Sequence, residues 1–329
     1  MSIKVLLLTP YSFKKYGGVQ NQVNLIEDYL SEHNEYEVKV FAYGKTELLD
    51  SNIVFNIPFN SSISSVLLFP NRKLLLEYID WSDVVHIHEP FVPLLFWNLP
   101  KNKKYIFTHH ASLGASITNI LKIIYKIFKY KSISTYVSKS AKSNALALNS
   151  EPVLIPNMIK INQNISFNKN QGYLFIGRQE TRKNYDFFVK LSNHEQFASK
   201  LFYSITNKER SDDNITSFIN PTDQFKKEIF RKTNIYLALN TRSESFGITL
   251  LEAVNNGNLV VSSDLSSFID VLPNSYIVYK KQDFESLCNV LINLNSNEMN
   301  SLWEKQYKDI RNYDLEENMK KFILLYSNI

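Results

Sequence analysis

The segment Leu237–Leu265, LALNTRSESFGITLLEAVNNGNLVVSSDL, constrains the chain more than any other stretch. Ile235–Leu239 is an apolar run of strand length, and Leu259–Ser262 is a second one after Gly257. The unit between them reads strand, loop, helix, strand. Glu244 falls in the loop, and Glu252 lies about two turns along the helix at 3.6 residues per turn. Ser245-Phe246-Gly247-Ile248 stands where the helix opens, with free N–H groups and the positive end of the peptide dipoles facing outward. Such an end seats an anion. An anion seat flanked by two carboxylates suits a ligand with a diphosphate in the middle and hydroxyls at both ends, as in a nucleotide-sugar.

Size and composition narrow the setting. At 329 residues there is room for two domains of ordinary size. A hydrophobic content of 44% with 21% charged residues is that of a soluble globular protein. Cys288 has no second cysteine to pair with, so a reducing, cytoplasmic setting is expected. Between Leu287 and Val290 it reads as a buried structural thiol. Lys4 and Thr9-Pro10 interrupt the first apolar run and no run reaches membrane-spanning length, so neither a signal peptide nor a transmembrane helix is expected. The net charge of +5 leans toward anionic partners but is too small to argue for nucleic acid.

Strand-like runs at Ile3–Leu8, Val38–Tyr43, Asp83–Ile87, Tyr105–Thr108 and Ser134–Val137 alternate with helical patterns at Val19–Leu30, Leu74–Ile79 and Ile117–Lys131. After the Asn-rich stretch 161–171 the pattern restarts, with strands at Tyr173–Gly177, Leu201–Thr206, Ile235–Leu239 and Leu259–Ser262. This alternation predicts an α/β protein of two Rossmann-like, doubly wound domains facing across a cleft. The boundaries are placed at 1–160 and 161–312, with 313–329 a C-terminal helix. The first loop, PYSFKKYGGV, lacks the G-x-G-x-x-G of a dinucleotide site, which disfavours a dehydrogenase. Gly17-Gly18 would instead let backbone approach a ligand closely.

Several strings resemble one family. Glu244-Ser-Phe-Gly through Glu252-Ala resembles the Glu, seven residues, Glu donor motif of retaining glycosyltransferases of family 4, which have the GT-B fold. PYSF…GGVQ resembles the opening of the phosphatidylinositol mannosyltransferases within that family. VVHIHEP (Val84–Pro90) is similar to a strand end that members place near the interdomain cleft, and IFTHHAS (Ile106–Ser112) to the one carrying their active-site His. His110 aligns best with that His, and His109 stays open as the alternative. FIGRQETRK (Phe175–Lys183) resembles the phosphate-clamp loop, with Arg178 and Lys183 at its two basic positions. Lys226 matches a base- or ribose-proximal Lys. The resemblance is weakest between Asn193 and Asp223, where relatives have a Gly-rich turn, so the base stays open between GDP and UDP.

The resemblance implies retaining transfer of a hexose, mannose or glucose, from a nucleotide diphosphate sugar to a lipid-linked or glycan acceptor, with no cofactor and no metal. Arg178, Lys183 and the N–H groups near Phe246-Gly247 would stabilise charge on the departing diphosphate. Glu252 would hold the ribose hydroxyls, Glu244 the sugar hydroxyls, and His110 would help seat the sugar. The C-terminal helix is expected to pack back on the first domain, as in relatives. His86 and His88, at i and i+2, lack a further ligand at a metal spacing. Competing readings are a non-catalytic GT-B subunit that binds nucleotide-sugar or acts as a scaffold, and a glycosidase. A glycosidase leaves the basic loop Arg178–Lys183 unexplained, and a phosphorylase would need a pyridoxal-binding Lys with no visible context.

One helix has two readings. In Ile117–Lys131, the residues Ile120, Ile123, Ile124, Ile127 and Phe128 share a face, while Lys122, Lys126 and Lys129 lie opposite, with Lys101, Lys103 and Lys104 near in sequence. The favoured reading is a core-facing helix with a solvated basic side. The other is an interfacial helix that seats the protein peripherally on an anionic membrane surface.

Overall fold

A computed structural model describes residues 2–15, 17–49, 54–59, 62–90, 99–111, 113–128, 130–148, 151–210 and 214–328. It divides into two compact units, Met1–Met158 with Leu315–Ile329, and Ile159–Asp314.

In unit 1 the strands are β1 (Ile3–Leu8), β2 (Tyr36–Phe41), β3 (Val54–Phe59), β4 (Ser62–Leu67), β5 (Val84–His88), β6 (Lys104–His109), β7 (Lys131–Tyr136) and β8 (Val153–Leu154). Six of them form one parallel sheet in the order β2-β1-β5-β6-β7-β8, and β3 and β4 make a separate antiparallel hairpin. β1 shows why the sheet is buried on both faces: Leu6 and Leu8 enter one apolar core while Val5 and Leu7 enter the other. The second of these cores is closed by the helix Leu315–Ser327. Its residues Leu315, Met319, Phe322 and Tyr326 recur at helical spacing and pack with Val5, Leu7, Val84 and Ile106.

Unit 2 contains β9 (Gly172–Ile176), β10 (Leu201–Thr206), β11 (Thr216–Ile219), β12 (Ile235–Ala238), β13 (Leu259–Ser263) and β14 (Val278–Tyr279). They form a parallel sheet in the order β11-β10-β9-β12-β13-β14. Counted within the unit this is the 3-2-1-4-5-6 order of a dinucleotide-binding fold. The strand order reverses between β9 and β12, as it does between β1 and β5 in unit 1. Loops leaving such a pair of strands diverge and open a crevice at their carboxyl ends. Both units therefore place their most distinctive loops, after β9 and β12 and after β1 and β5, where a parallel sheet accepts ligands.

Gly257 ends the helix of the central segment with φ of 86°, where a Cβ would meet the Ser166 carbonyl at 2.5 Å. Only glycine fits that turn. Cys288 is buried, and burial pushes its thiol up. Among the described residues no helix is long and apolar enough to cross a membrane.

Candidate functional site

Two short connections at the switch point of unit 2, after β9 and after β12, bring Arg178, Lys183 and Glu244 together. After β9 the chain passes Gly177 and Arg178 into a tight turn, Thr181–Lys183, closed by Asn184 in the left-handed region at φ of 55°. After β12 it runs through Asn240 and Ser243 to Glu244. The main chain ties the two loops, because Thr241 N–H donates to the Arg182 carbonyl at 2.8 Å. Across this seam Lys183 Nζ lies 2.7 Å from Glu244 Oε2, and Arg182 Nη1 lies 3.6 Å from the same oxygen. The Asn240 amide also donates to it at 2.7 Å. Burial alone would raise the Glu244 carboxyl, but Lys183, with Arg182 and Asn240, outweighs it and holds the group below the usual carboxylate range.

Arg182 and Asn240 were not singled out in the sequence. The Arg182 side chain is 8% exposed, pairs with Glu180 at 2.8 Å and also donates to the Ser243 carbonyl. Arg178 is 43% exposed and lies 3.2 Å from Glu180. It is thus the most accessible of the three cations, and it is tethered through Glu180 to the other two.

Glu252 forms the second cluster. It lies within the helix Ile248–Val254, and its Oε2 is 2.7 Å from Lys226 Nζ of the helix Asp223–Arg231. Tyr236 of β12 is buried and feels both clusters: burial raises its hydroxyl, and Glu244 and Glu252 both add to the rise. The two predicted carboxylates therefore flank one buried tyrosine, each with a lysine in contact.

The helix end itself carries less than expected. Gly247 is its N-cap at φ of 89°, where a Cβ would meet Phe268 at 2.9 Å, so glycine is required. Phe246 is buried in the core, edge-on to Tyr313 at 5.4 Å, so only its backbone can meet a ligand. Ser245 and Ile248, beside them, are partly buried. The helix has seven residues, so its summed dipole is short.

In unit 1, His109 is the last residue of β6, paired in register with Tyr136, and His110 is the first residue past the strand. His110 Nε2 lies 3.0 Å from His88 Nδ1. His86 reaches the Tyr326 hydroxyl at 2.9 Å and Thr108 Oγ1 at 2.7 Å. Burial lowers all four imidazoles, His86 and His109 to about 3 and His110 to about 4, with neighbouring histidines adding to the fall for His86, His88 and His109. Burial keeps the rings neutral; His88 and His110 share a hydrogen bond, and His86 and His88 pack ring against ring at 4.2 Å. No group of three or more His, Cys, Asp or Glu placed to hold a metal ion occurs among the described residues. Gly17, extended at φ of −163°, is the N-cap of the helix Gly18–Ser31 that Gly18 opens, so neither glycine is demanded by a left-handed backbone.

The helix Ala115–Phe128 overturns the core-facing reading of this segment. Ile117, Ile120, Ile123 and Ile127 are 51–67% exposed. The inward contact is made by Tyr125, which is buried and donates to the Pro90 carbonyl. Lys122 and Lys126 are exposed as well, and Lys131 belongs to β7 rather than to the helix. Lys129 and the side chains of Ile124 and Phe128 lie outside the described residues. Periodicity shows that apolar residues share a face; it does not show that anything covers it.

No family model matches the chain. Among curated proteins, the phosphatidyl-myo-inositol mannosyltransferase of Mycobacterium leprae is 26% identical over 339 residues, spanning 90% of this chain and 88% of that protein. The protein of the same name from Mycobacterium tuberculosis is 28% identical over 305 residues, spanning 82% and 80%. Of solved structures, a glycosyltransferase from Rickettsia africae superposes with a TM-score of 0.73 at 17% identity, over 99% of this chain and 98% of that one. Anabaena Alr3699/HepE in complex with UDP and glucose gives 0.71 at 11% identity, over 99% and 100%. The fold is GT-B, and the chain is a glycosyltransferase of that type. Its similarity in sequence runs to the phosphatidyl-myo-inositol mannosyltransferases over most of its length.

Proposed function

We propose that the chain is a retaining, metal-independent glycosyltransferase of family 4 that moves a hexose from a GDP- or UDP-sugar to a lipid-linked or glycan acceptor. The observation that carries this reading is the convergence of Lys183 and Arg182 on Glu244 at the switch point of unit 2. Without ligand the cations and the carboxylate neutralise one another. A diphosphate draws Lys183 and Arg178 to itself, and Glu244 is then free to accept hydroxyls of the sugar. Glu252, with Lys226, accepts the ribose hydroxyls. Charge developing on the departing diphosphate meets fixed cations, the function a bound metal serves elsewhere. His110, rather than the strand residue His109, meets the sugar. As a neutral ring it hydrogen-bonds without repelling the cationic, oxocarbenium-like centre.

The relatives' name makes mannose and an inositol phospholipid the first sugar and acceptor to try, and the UDP and glucose held by the Anabaena protein make UDP-glucose the second donor. The exposed isoleucines of Ala115–Phe128, with Lys122 and Lys126, suit a protein that meets such an acceptor peripherally, on the cytoplasmic face of an anionic membrane. The test is product analysis by NMR with GDP-mannose and UDP-glucose, with and without a chelator. Retained anomeric configuration and chelator-insensitive turnover are expected. An inverted product, or turnover abolished by the chelator, would overturn the reading.

A further inference from the structure

Glu89 lies in the VVHIHEP string, but no role has been given to it so far. It follows β5 directly, at the switch point of its sheet. It is 2% exposed and adopts φ of 59°, a left-handed conformation that an ordinary side chain avoids. Its carboxyl is met by backbone: Oε2 accepts the N–H of His110 at 3.2 Å and of Ala111 at 2.9 Å. Its Oε1 is buried without a hydrogen-bond partner. A strained backbone and a buried carboxyl are both unfavourable, and such costs concentrate at functional sites.

We propose that Glu89 is a positioning residue for His110: by accepting two successive N–H groups it fixes the chain where it leaves β6 and so aims the imidazole that meets the sugar. His88 contributes from the same strand end, since its ring contacts His110 at 3.0 Å. The other ionisable groups facing Glu89 are Tyr11, from the loop after β1, and Tyr125, from the helix Ala115–Phe128. Burial pushes the Glu89 carboxyl up to about 7, and the two N–H donors oppose the rise. Below that pH the carboxyl is neutral and holds the two N–H groups less firmly, because a charged acceptor makes the stronger hydrogen bond. The imidazoles titrate far lower, so an acid limb near neutrality belongs to Glu89.

The inference rests on the proposed role of His110, and its test separates the two. Glu89→Ala, Glu89→Gln and His110→Ala are compared in the full chain, with GDP-mannose or UDP-glucose as donor, for kcat, KM and their pH dependence. Thermal unfolding checks that each variant is folded. Glu89→Ala is expected to lower kcat by about 100-fold through misplacement of His110, with the KM for donor little changed. Glu89→Gln, which still accepts both N–H groups but carries no charge, is expected to hold kcat at the reduced level that the wild type reaches below pH 7, above that of Glu89→Ala, and to lose the acid limb near pH 7. A folded Glu89→Ala with wild-type kcat overturns the proposal, as does a Glu89→Gln as impaired as the alanine variant. Should Glu89→Ala not fold, a limb that persists in Glu89→Gln refutes it. A fully active His110→Ala would instead sink the site reading on which the proposal stands.

Discussion

Replacing Glu244 with glutamine removes one charge, keeps the side-chain shape, and separates what the carboxylate does for the fold from what it does for transfer. In the wild type its Oε2 faces Lys183 at 2.7 Å and Arg182 at 3.6 Å. Arg182 retains Glu180 at 2.8 Å after the change, whereas Lys183 loses its carboxylate. A charge-assisted hydrogen bond at a site this enclosed is worth about 1.5–3 kcal/mol. For a chain of this size about 2–4 °C is lost per kcal/mol, so the unfolding midpoint falls by a few degrees to about 10 °C. The sign with pH follows from the depressed carboxyl of Glu244. Its contribution is fully present above the unfolded value of 4.5 and is lost as pH falls through the lower folded value, so the gap between wild type and variant closes in acid. Function divides differently. Lys183, released from its partner, should bind UDP or GDP at least as well as before, measured by calorimetry. Transfer should fall by about 10²–10³, the usual cost of one preorganised group at a reacting centre, read as nucleoside diphosphate released from GDP-mannose or UDP-glucose. A folded Glu244→Gln that turns over at the wild-type rate would refute the reasoning.

Two further outcomes are expected. Sedimentation with vesicles should show binding that requires anionic lipid, weakens with salt, and is lost when Ile117, Ile120, Ile123 and Ile127 become serine; equal binding of that variant would assign the exposed face to something else. Phe322→Ala should destabilise the protein by about 3–5 kcal/mol in thermal or denaturant unfolding, because the helix Leu315–Ser327 closes a core of unit 1; a loss below about 1 kcal/mol would show that it does not.

The sheets were legible in the sequence because parallel strands buried on both faces read as near-continuous apolar runs, as at Ile3–Leu8 and Leu259–Ser262. The hairpin Val54–Leu67 was not, since Asn56, Pro58 and four serines at positions 61, 62, 64 and 65 read as loop. Thr216–Ile219, at the edge of its sheet, is too short and too polar to stand out. In the candidate site, Glu244, Glu252 and Lys183 were found through strings of adjacent residues. Arg182 meets Ser243 and Glu244 across a long stretch of sequence, Asn240 meets Glu244 inside an unremarkable turn, and no local pattern marks either. Glu89 stood inside the VVHIHEP string with no role of its own, because its burial depends on how β5, β6 and the loop after β1 meet. Exposure of the isoleucines on Ala115–Phe128 was equally out of reach, since periodicity is blind to whether a neighbour exists.

The central claim is that unit 2 seats a nucleoside diphosphate on Lys183 and its neighbouring cations. Titrating UDP, GDP and ADP into the full chain and into Lys183→Ala, with the unfolding midpoint as readout, tests it most directly. UDP or GDP is expected to raise the midpoint of the wild type in a concentration-dependent way, and the rise is expected to be lost in Lys183→Ala. A midpoint unmoved by all three nucleotides, or moved equally in both proteins, would contradict it.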